Sequence, residues 1–107
     1  MDFVLIRMVH PIGQGGFVSE TVLGDGFTVV FDCGSKTKDH EKLLVREINR
    51  LKGWTDHIET LVISHFDEDH YNGLSLLVSS FPIREVIVPS IPKEFRRVYD
   101  SLTGGAY

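Results

Sequence analysis

The chain has 107 residues, enough for one domain and too few for two. Hydrophobic residues make up 42% and charged residues 24%, which excludes a disordered chain, and 11 basic against 15 acidic residues give a net charge of -4, without the basic excess of a nucleic-acid surface. A single cysteine, Cys33, excludes an internal disulfide and points to a reducing, cytoplasmic setting, and no run is long enough to span a membrane.

In chain order, Phe3 to Ile6 continuing through Met8 and Val9 reads as a first strand. It is too short and too interrupted, by Arg7, for a signal peptide. Pro11 and the group Gly13-Gln14-Gly15-Gly16 break it. Phe17 to Leu23 predicts a second strand and Phe27 to Phe31 a third, antiparallel to it across a Gly24-Asp25-Gly26 turn. Asp32-Cys33-Gly34-Ser35 closes the third strand. From Asp39 to Lys52 the period becomes helical, with Leu44, Ile48 and Leu51 on one face and Gly53 as the C-cap.

Ile58 to Ser64 predicts a fourth strand, whose run Leu61-Val62-Ile63 is apolar on both faces. After the segment 65–71 comes a short helix from Gly73 to Ser80, with Asn72 as N-cap. Glu85 to Val88 is a fifth strand. Pro92 opens a last helix, with Phe95, Val98, Tyr99 and Leu102 in one stripe. Strands followed by alternating helix and strand predict an α+β (αβ) domain, a sheet with helices on one face.

The chemistry concentrates in His65-Phe66-Asp67-Glu68-Asp69-His70, directly after the buried fourth strand. Imidazole and carboxylate both bind divalent ions such as zinc or manganese. In an extended segment His65, Asp67 and Asp69 point to one side and His70 to another. That spacing suits two adjacent ions, the first held by His65 and Asp67, the second by Asp69 and His70. Glu68 points away and is expected in solvent or behind the ligands. The ordinary reading, a loop of solvated acids with incidental histidines, fits poorly with four candidate ligands within six residues.

The run Ser64-His65-Phe66-Asp67-Glu68-Asp69-His70-Tyr71-Asn72-Gly73 resembles the His-X-His-X-Asp-His signature of the metallo-β-lactamase fold. Gly13-Gln14-Gly15 and Phe31-Asp32-Cys33-Gly34 match that family's glycine-rich turn and Asp-X-Gly strand end, in the same order. Asp67 stands where the signature has its second His. That variant, like the Gly-Gln-Gly turn, is similar to the hydrolase domain of bacterial DNA-uptake channel proteins. The resemblance implies half of an αββα sandwich, with a mostly antiparallel-to-mixed sheet. It also implies hydrolysis of an ester, a phosphodiester or an amide by a water activated on one or two divalent ions, which Asp69 would orient. A small molecule or a nucleic acid would be the substrate.

The resemblance places Asp32 near the metals, where it would orient ligands by hydrogen bonding. Capping the turn before Gly34 explains Asp32 equally well. Carboxylate for imidazole at Asp67 shifts preference from zinc towards manganese or magnesium. Cys33 is expected as a small buried apolar residue, His40 and His57 as solvated, and Trp54 as packing on a helix end. His10 either lines the site from the first loop or is an ordinary histidine. Trp54 and Tyr71 are the aromatic candidates for substrate contact.

No histidine follows His70, and Asp100 is the only later aspartate, so each ion would have only two protein ligands where catalytic zinc usually has three. Residues 1–107 therefore read as the N-terminal portion of a longer domain, inactive alone. The alternatives are completion by a second chain, or an interaction module that kept the motif without its chemistry. An exposed apolar sheet face predicts self-association or cover by a second half.

Overall fold

The computed structural model describes residues 4–64 and 72–88. Five strands form one mixed sheet in the order β1-β2-β3-β4-β5: β1 (Leu5–Val9), β2 (Gly15–Val22), β3 (Thr28–Ser35), β4 (Ile58–Val62) and β5 (Ile83–Ile87). The first three pair antiparallel, and β3, β4 and β5 run parallel. Each parallel step needs a crossover. Helix α1 (His40–Lys52) supplies the first and α2 (Leu74–Ser80) the second. Both helices contact β3 and one another, so they share one face of the sheet, as predicted.

That face carries the core. Phe17, Val30, Leu61 and Ile63 of the sheet side meet Leu44, Ile48 and Leu51 of α1 and Leu74 and Leu77 of α2, all buried. Each such side chain stabilises the fold by roughly 2 kcal/mol through its removal from water. The opposite face presents Val18, Val29, Phe31 and Val62 half-buried and Leu5, Val9 and Ile87 exposed. Among the described residues no helix is long and apolar enough to cross a membrane.

The β2–β3 hairpin forms where the glycines require it. Gly24 and Gly26 have φ of 110° and 74°, and the Asp25 carboxylate accepts a hydrogen bond from the Phe27 amide at 2.9 Å.

Several boundaries differ from the sequence expectation; β4, for one, stops at Val62 rather than Ser64. Strand β3 runs on to Ser35, because Gly15 and Gly16 pair with Ser35 and Gly34 beyond a bulge between Gly16 and Val18. Those glycines are strand, not the break they resemble. Strand β5 begins two positions earlier than expected, at Ile83, which pairs with Ile58. Asn72 does not cap α2: Gly73 occupies the cap position, and the Asn72 side chain is engaged elsewhere. Gly53 does end α1, but with ordinary right-handed dihedrals. The predicted last helix lies outside the described residues.

Candidate metal centre

Strand β4 leads to Ser64, the residue before His65. Across from it, β3 passes through Asp32, whose φ of 61° is a left-handed conformation that Asp tolerates better than most side chains. The turned backbone aims the Asp32 carboxylate at Ser64. Oδ1 accepts from the Ser64 amide at 2.7 Å and Oδ2 from the Ser64 hydroxyl at 2.6 Å. Asp32 is 93% removed from solvent (7% exposed), so these charge-assisted bonds are strong ones.

The chain returns from segment 65–71 at Asn72, again onto the end of β3. The Asn72 carboxamide bridges the backbone of Ser35, its Oδ1 accepting from the amide at 2.8 Å and its Nδ2 donating to the carbonyl at 2.7 Å. The Gly73 amide donates to the Cys33 carbonyl at 2.8 Å, and the Cys33 thiol donates to the Gly73 carbonyl at 3.6 Å. A Cβ on Gly73 would lie 3.0 Å from the Cys33 carbonyl oxygen and 2.9 Å from Leu44. Only glycine allows that approach. Both ends of segment 65–71 are therefore tied to the four residues 32–35.

The candidate ligands themselves, His65, Asp67, Asp69 and His70, lie outside the described residues, as do Glu68 and Tyr71. Among the described residues no three His, Cys, Asp or Glu side chains are grouped to hold a metal. Asp32 is the one candidate site residue among the described residues, and its carboxylate holds the amide and hydroxyl of Ser64, the residue before His65. Cys33 is fully buried, and that burial, with the neighbouring Asp32 charge, pushes its thiol far above its ordinary range. It is a small core residue, as expected, since a metal-binding thiolate needs the opposite shift.

His10 does not open into a site. Its imidazole is buried, stacked on Phe17 with ring centroids 4.0 Å apart. Its Nδ1–H donates to Glu47 Oε1 at 3.1 Å, and its Nε2 accepts from the Ser19 hydroxyl at 2.8 Å. An ionised Glu47 can only accept, which fixes this tautomer. Burial holds the imidazole below its ordinary pKa against the pull of Glu47. Burial pushes the Glu47 carboxyl up, but the hydrogen bonds from His10 and Arg46 and the charge of Arg50 outweigh it and leave the group below its ordinary value.

This pair anchors the glycine-rich turn. Arg46 donates to Glu47 at 2.9 Å and to the Pro11 carbonyl at 2.6 Å, the Ser35 hydroxyl donates to the Ile12 carbonyl at 2.6 Å, and Gln14 receives Lys36 and gives to Thr37 at 2.7 Å each. The turn is thus held against α1 and the end of β3. Sequence reading missed Glu47, and took Asn72 for a helix cap and Ser64 for the end of a strand. Glu47 was visible as a charge on the apolar stripe of α1, one residue before Ile48.

The other candidates sit apart. His40 is exposed at the start of α1, as expected. His57 is less solvated than expected, with Nδ1 at 2.8 Å from Asp56 and Nε2 at 3.2 Å from Glu59. Trp54, 43% exposed, borders an open depression with Gly24, Asp25, Lys52 and Asp56. That depression lies at the start of β3, the opposite end from Asp32, so Trp54 is not placed to contact a substrate at the motif.

Comparison with known proteins identifies the family. Residues 13–105 match the family model described as the Metallo-beta-lactamase superfamily. Recombination protein 2 of Haemophilus influenzae (strain ATCC 51907 / DSM 11121 / KW20 / Rd) is 28% identical over 79 residues. The matched stretch is 74% of this chain but 10% of that protein, so the chain spans a small part of its relative's length. No solved structure matches.

Proposed function

Since the chain belongs to the metallo-beta-lactamase superfamily, we propose that it contributes one wall of a divalent-metal hydrolase centre, with His65 and Asp67 as ligands of one ion and Asp69 and His70 of a second. The observation that carries this reading is the anchoring of segment 65–71 at both ends by residues 32–35. The donor set, two imidazoles and three carboxylates in six residues, has the chemistry that such ions require. Bound there, the ions would supply Lewis acidity and a water of lowered pKa. Asp69 would orient that water by accepting its hydrogen bond, and Asp32 would orient His65 through Ser64.

The substrate class we propose is a phosphodiester, with simple esters next. The name of the Haemophilus relative refers to recombination, which favours a nucleic-acid substrate. The net charge of -4 gives no general basic surface, so binding of such a substrate would fall to the ions and nearby loops. Asp67 favours manganese or magnesium relative to a three-histidine set. The lone, buried Cys33 fits a reducing, cytoplasmic compartment.

A second reading is an interaction module that keeps segment 65–71 without its chemistry. Equilibrium dialysis with manganese separates the two. The hydrolase reading expects stoichiometric uptake, lost in His65→Ala/His70→Ala, and hydrolysis of bis(p-nitrophenyl) phosphate once the remaining ligands are supplied. No stoichiometric uptake of manganese or zinc would sink it, and a strong zinc preference in competition would overturn the role given to Asp67.

A further inference from the structure

The net charge of -4 is unevenly spread along the chain. Positions 36–52 hold six of the eleven basic residues, Lys36, Lys38, Lys42, Arg46, Arg50 and Lys52, but only three acids, Asp39, Glu41 and Glu47. The remaining positions hold five basic and twelve acidic residues. Folding sharpens the contrast, because Glu47 is buried while all six basic residues are exposed. Leu44, Ile48 and Leu51 turn the apolar stripe of α1 into the core, so its other side is an outer surface of the fold. Lys42, Arg46 and Arg50 recur there every four residues, and a rise of about 1.5 Å per residue sets successive charges about 6 Å apart along the helix. Arg46 and Arg50 approach Glu47 at 2.9 and 3.6 Å, yet their side chains are 50% and 53% exposed. A guanidinium has five N–H donors, more than these contacts use.

We propose that the outer side of α1 is a track for single-stranded nucleic acid, with backbone phosphates on Lys38, Lys42, Arg46 and Arg50 and a base stacked on Trp54. Cationic groups about 6 Å apart can each meet a separate phosphate of an extended strand. Trp54 lies just past the helix, two residues beyond Lys52, and its 43% exposed indole offers an aromatic surface at the end of the row. Bases of any sequence stack on such a surface. Asp25 and Asp56 border the same depression and repel a phosphate there, so the backbone stays on the helix and a base turns to the indole. A duplex keeps its bases stacked inside, which is why a single strand fits. A basic helix can also meet an anionic membrane, but such helices insert a large apolar face, and α1 exposes only Val45.

The track has a direction. Residues 36–39 lead into α1 from Ser35, whose backbone is bridged by Asn72. Lys38 therefore stands at the end of the sheet where segment 65–71 is anchored, and Trp54 at the opposite end. The 13 residues of α1 span about 20 Å, room for about four nucleotides. A strand lying on this track reaches the candidate metal centre backbone first. That delivery rests on the hydrolase reading, whereas binding to the helix does not.

Fluorescence anisotropy of a labelled thymidine oligonucleotide of about 12 residues, with the full chain in EDTA, tests the track apart from the metals. The expected dissociation constant is on the order of 100 µM near 0.1 M salt, with a log–log salt slope of about -3, as four phosphate contacts at about 0.7 each require. Lys38→Gln/Lys42→Gln should weaken binding about tenfold and bring the slope to about -1.4. Both lysines are exposed, so this variant keeps the fold. Trp54→Leu should weaken binding about fivefold at an unchanged slope, since it removes stacking rather than charge. Trp54 is the chain's single tryptophan, so the oligonucleotide should quench its fluorescence with the same dissociation constant. Arg7→Gln, on β1, should change affinity by less than about twofold. No binding at low salt overturns the proposal. So does binding that Lys38→Gln/Lys42→Gln leaves unaltered, equal affinity for a duplex of the same length, or tighter binding to phosphatidylserine vesicles. Failed manganese uptake strikes the hydrolase reading and leaves this result standing, because the assay holds no metal.

Discussion

Replacing Asp32 separates its bonds from its backbone. Its two oxygens hold the amide and hydroxyl of Ser64 at 2.7 and 2.6 Å, and hydrogen bonds to a charged partner contribute about 1.5–3 kcal/mol each. Asp32→Asn keeps one carbonyl oxygen, and its amide nitrogen faces a hydroxyl that can turn to accept, so the expected loss is about 2 kcal/mol. Asp32→Gly loses both bonds, about 4 kcal/mol. Asp32→Ala loses both and must also hold φ 61° without a polar side chain, adding roughly 1 kcal/mol. Urea unfolding followed by far-UV circular dichroism gives these differences by linear extrapolation. The expected order of stability is Asp, Asn, Gly, Ala. A loss under about 1 kcal/mol for Ala would refute the clamp, and Ala more stable than Gly would refute the backbone argument. In the metal-binding reading Asp32→Asn also lowers manganese affinity about tenfold or more. Unchanged affinity would confine Asp32 to stability.

Glu47→Ala leaves the buried Nδ1–H of His10 without its acceptor and should cost about 3 kcal/mol, a fall in melting temperature of about 15 °C for a domain of this size. His10→Leu/Glu47→Met, which removes both polar groups, should recover most of that loss in the same thermal melts, and a double variant no better than the single would contradict the account. The pH dependence follows from the same pair. His10 is held below its ordinary 6.5, so the unfolded chain takes up the proton first, and the stability present above that value is lost as pH falls through the folded-state value. Glu47, held below 4.5, adds a further loss in more acid solution. His57 acts in the opposite sense, because Asp56 raises its pKa and its contribution fades as pH rises through that raised value. The urea midpoint of His57→Gln should therefore drop between about pH 7.5 and about pH 5.5, and by more than any drop in the unsubstituted chain. A midpoint that rises on acidification in His57→Gln would refute the assignment of a neutral buried His10.

Periodicity was sufficient for the elements whose side chains alternate with burial. The stripe Leu44, Ile48, Leu51 is the buried face of α1, and the alternation in Phe17 to Val22 is the pleat of β2. It failed where the backbone itself carries the information. Gly15 and Gly16 have no side chain to show a period, yet they extend the sheet by pairing with Ser35 and Gly34. Asn72 has the composition of a helix cap, and local propensity cannot see that Ser35, 37 residues away in sequence, offers its side chain both a donor and an acceptor. His10 and Glu47 are likewise 37 residues apart, and neither signals the other until the turn folds over α1.

The same reasoning explains how the residues flanking the motif are held. Residues 32–35 are the only part of β3 that departs from alternation, buried at four successive positions. A strand that turns left-handed at Asp32 can face Ser64 with a carboxylate and then, at Cys33 and Ser35, present backbone groups to Gly73 and Asn72. One irregular strand end thus fixes both the exit from β4 and the entry to α2. Both flanks of segment 65–71 are thus set by residues 32–35. Substitutions that free either fixed point, Gly73→Ala by its clash with the Cys33 carbonyl or Asp32→Ala by its missing carboxylate, should therefore act on the motif alike, although neither residue is one of the candidate metal ligands.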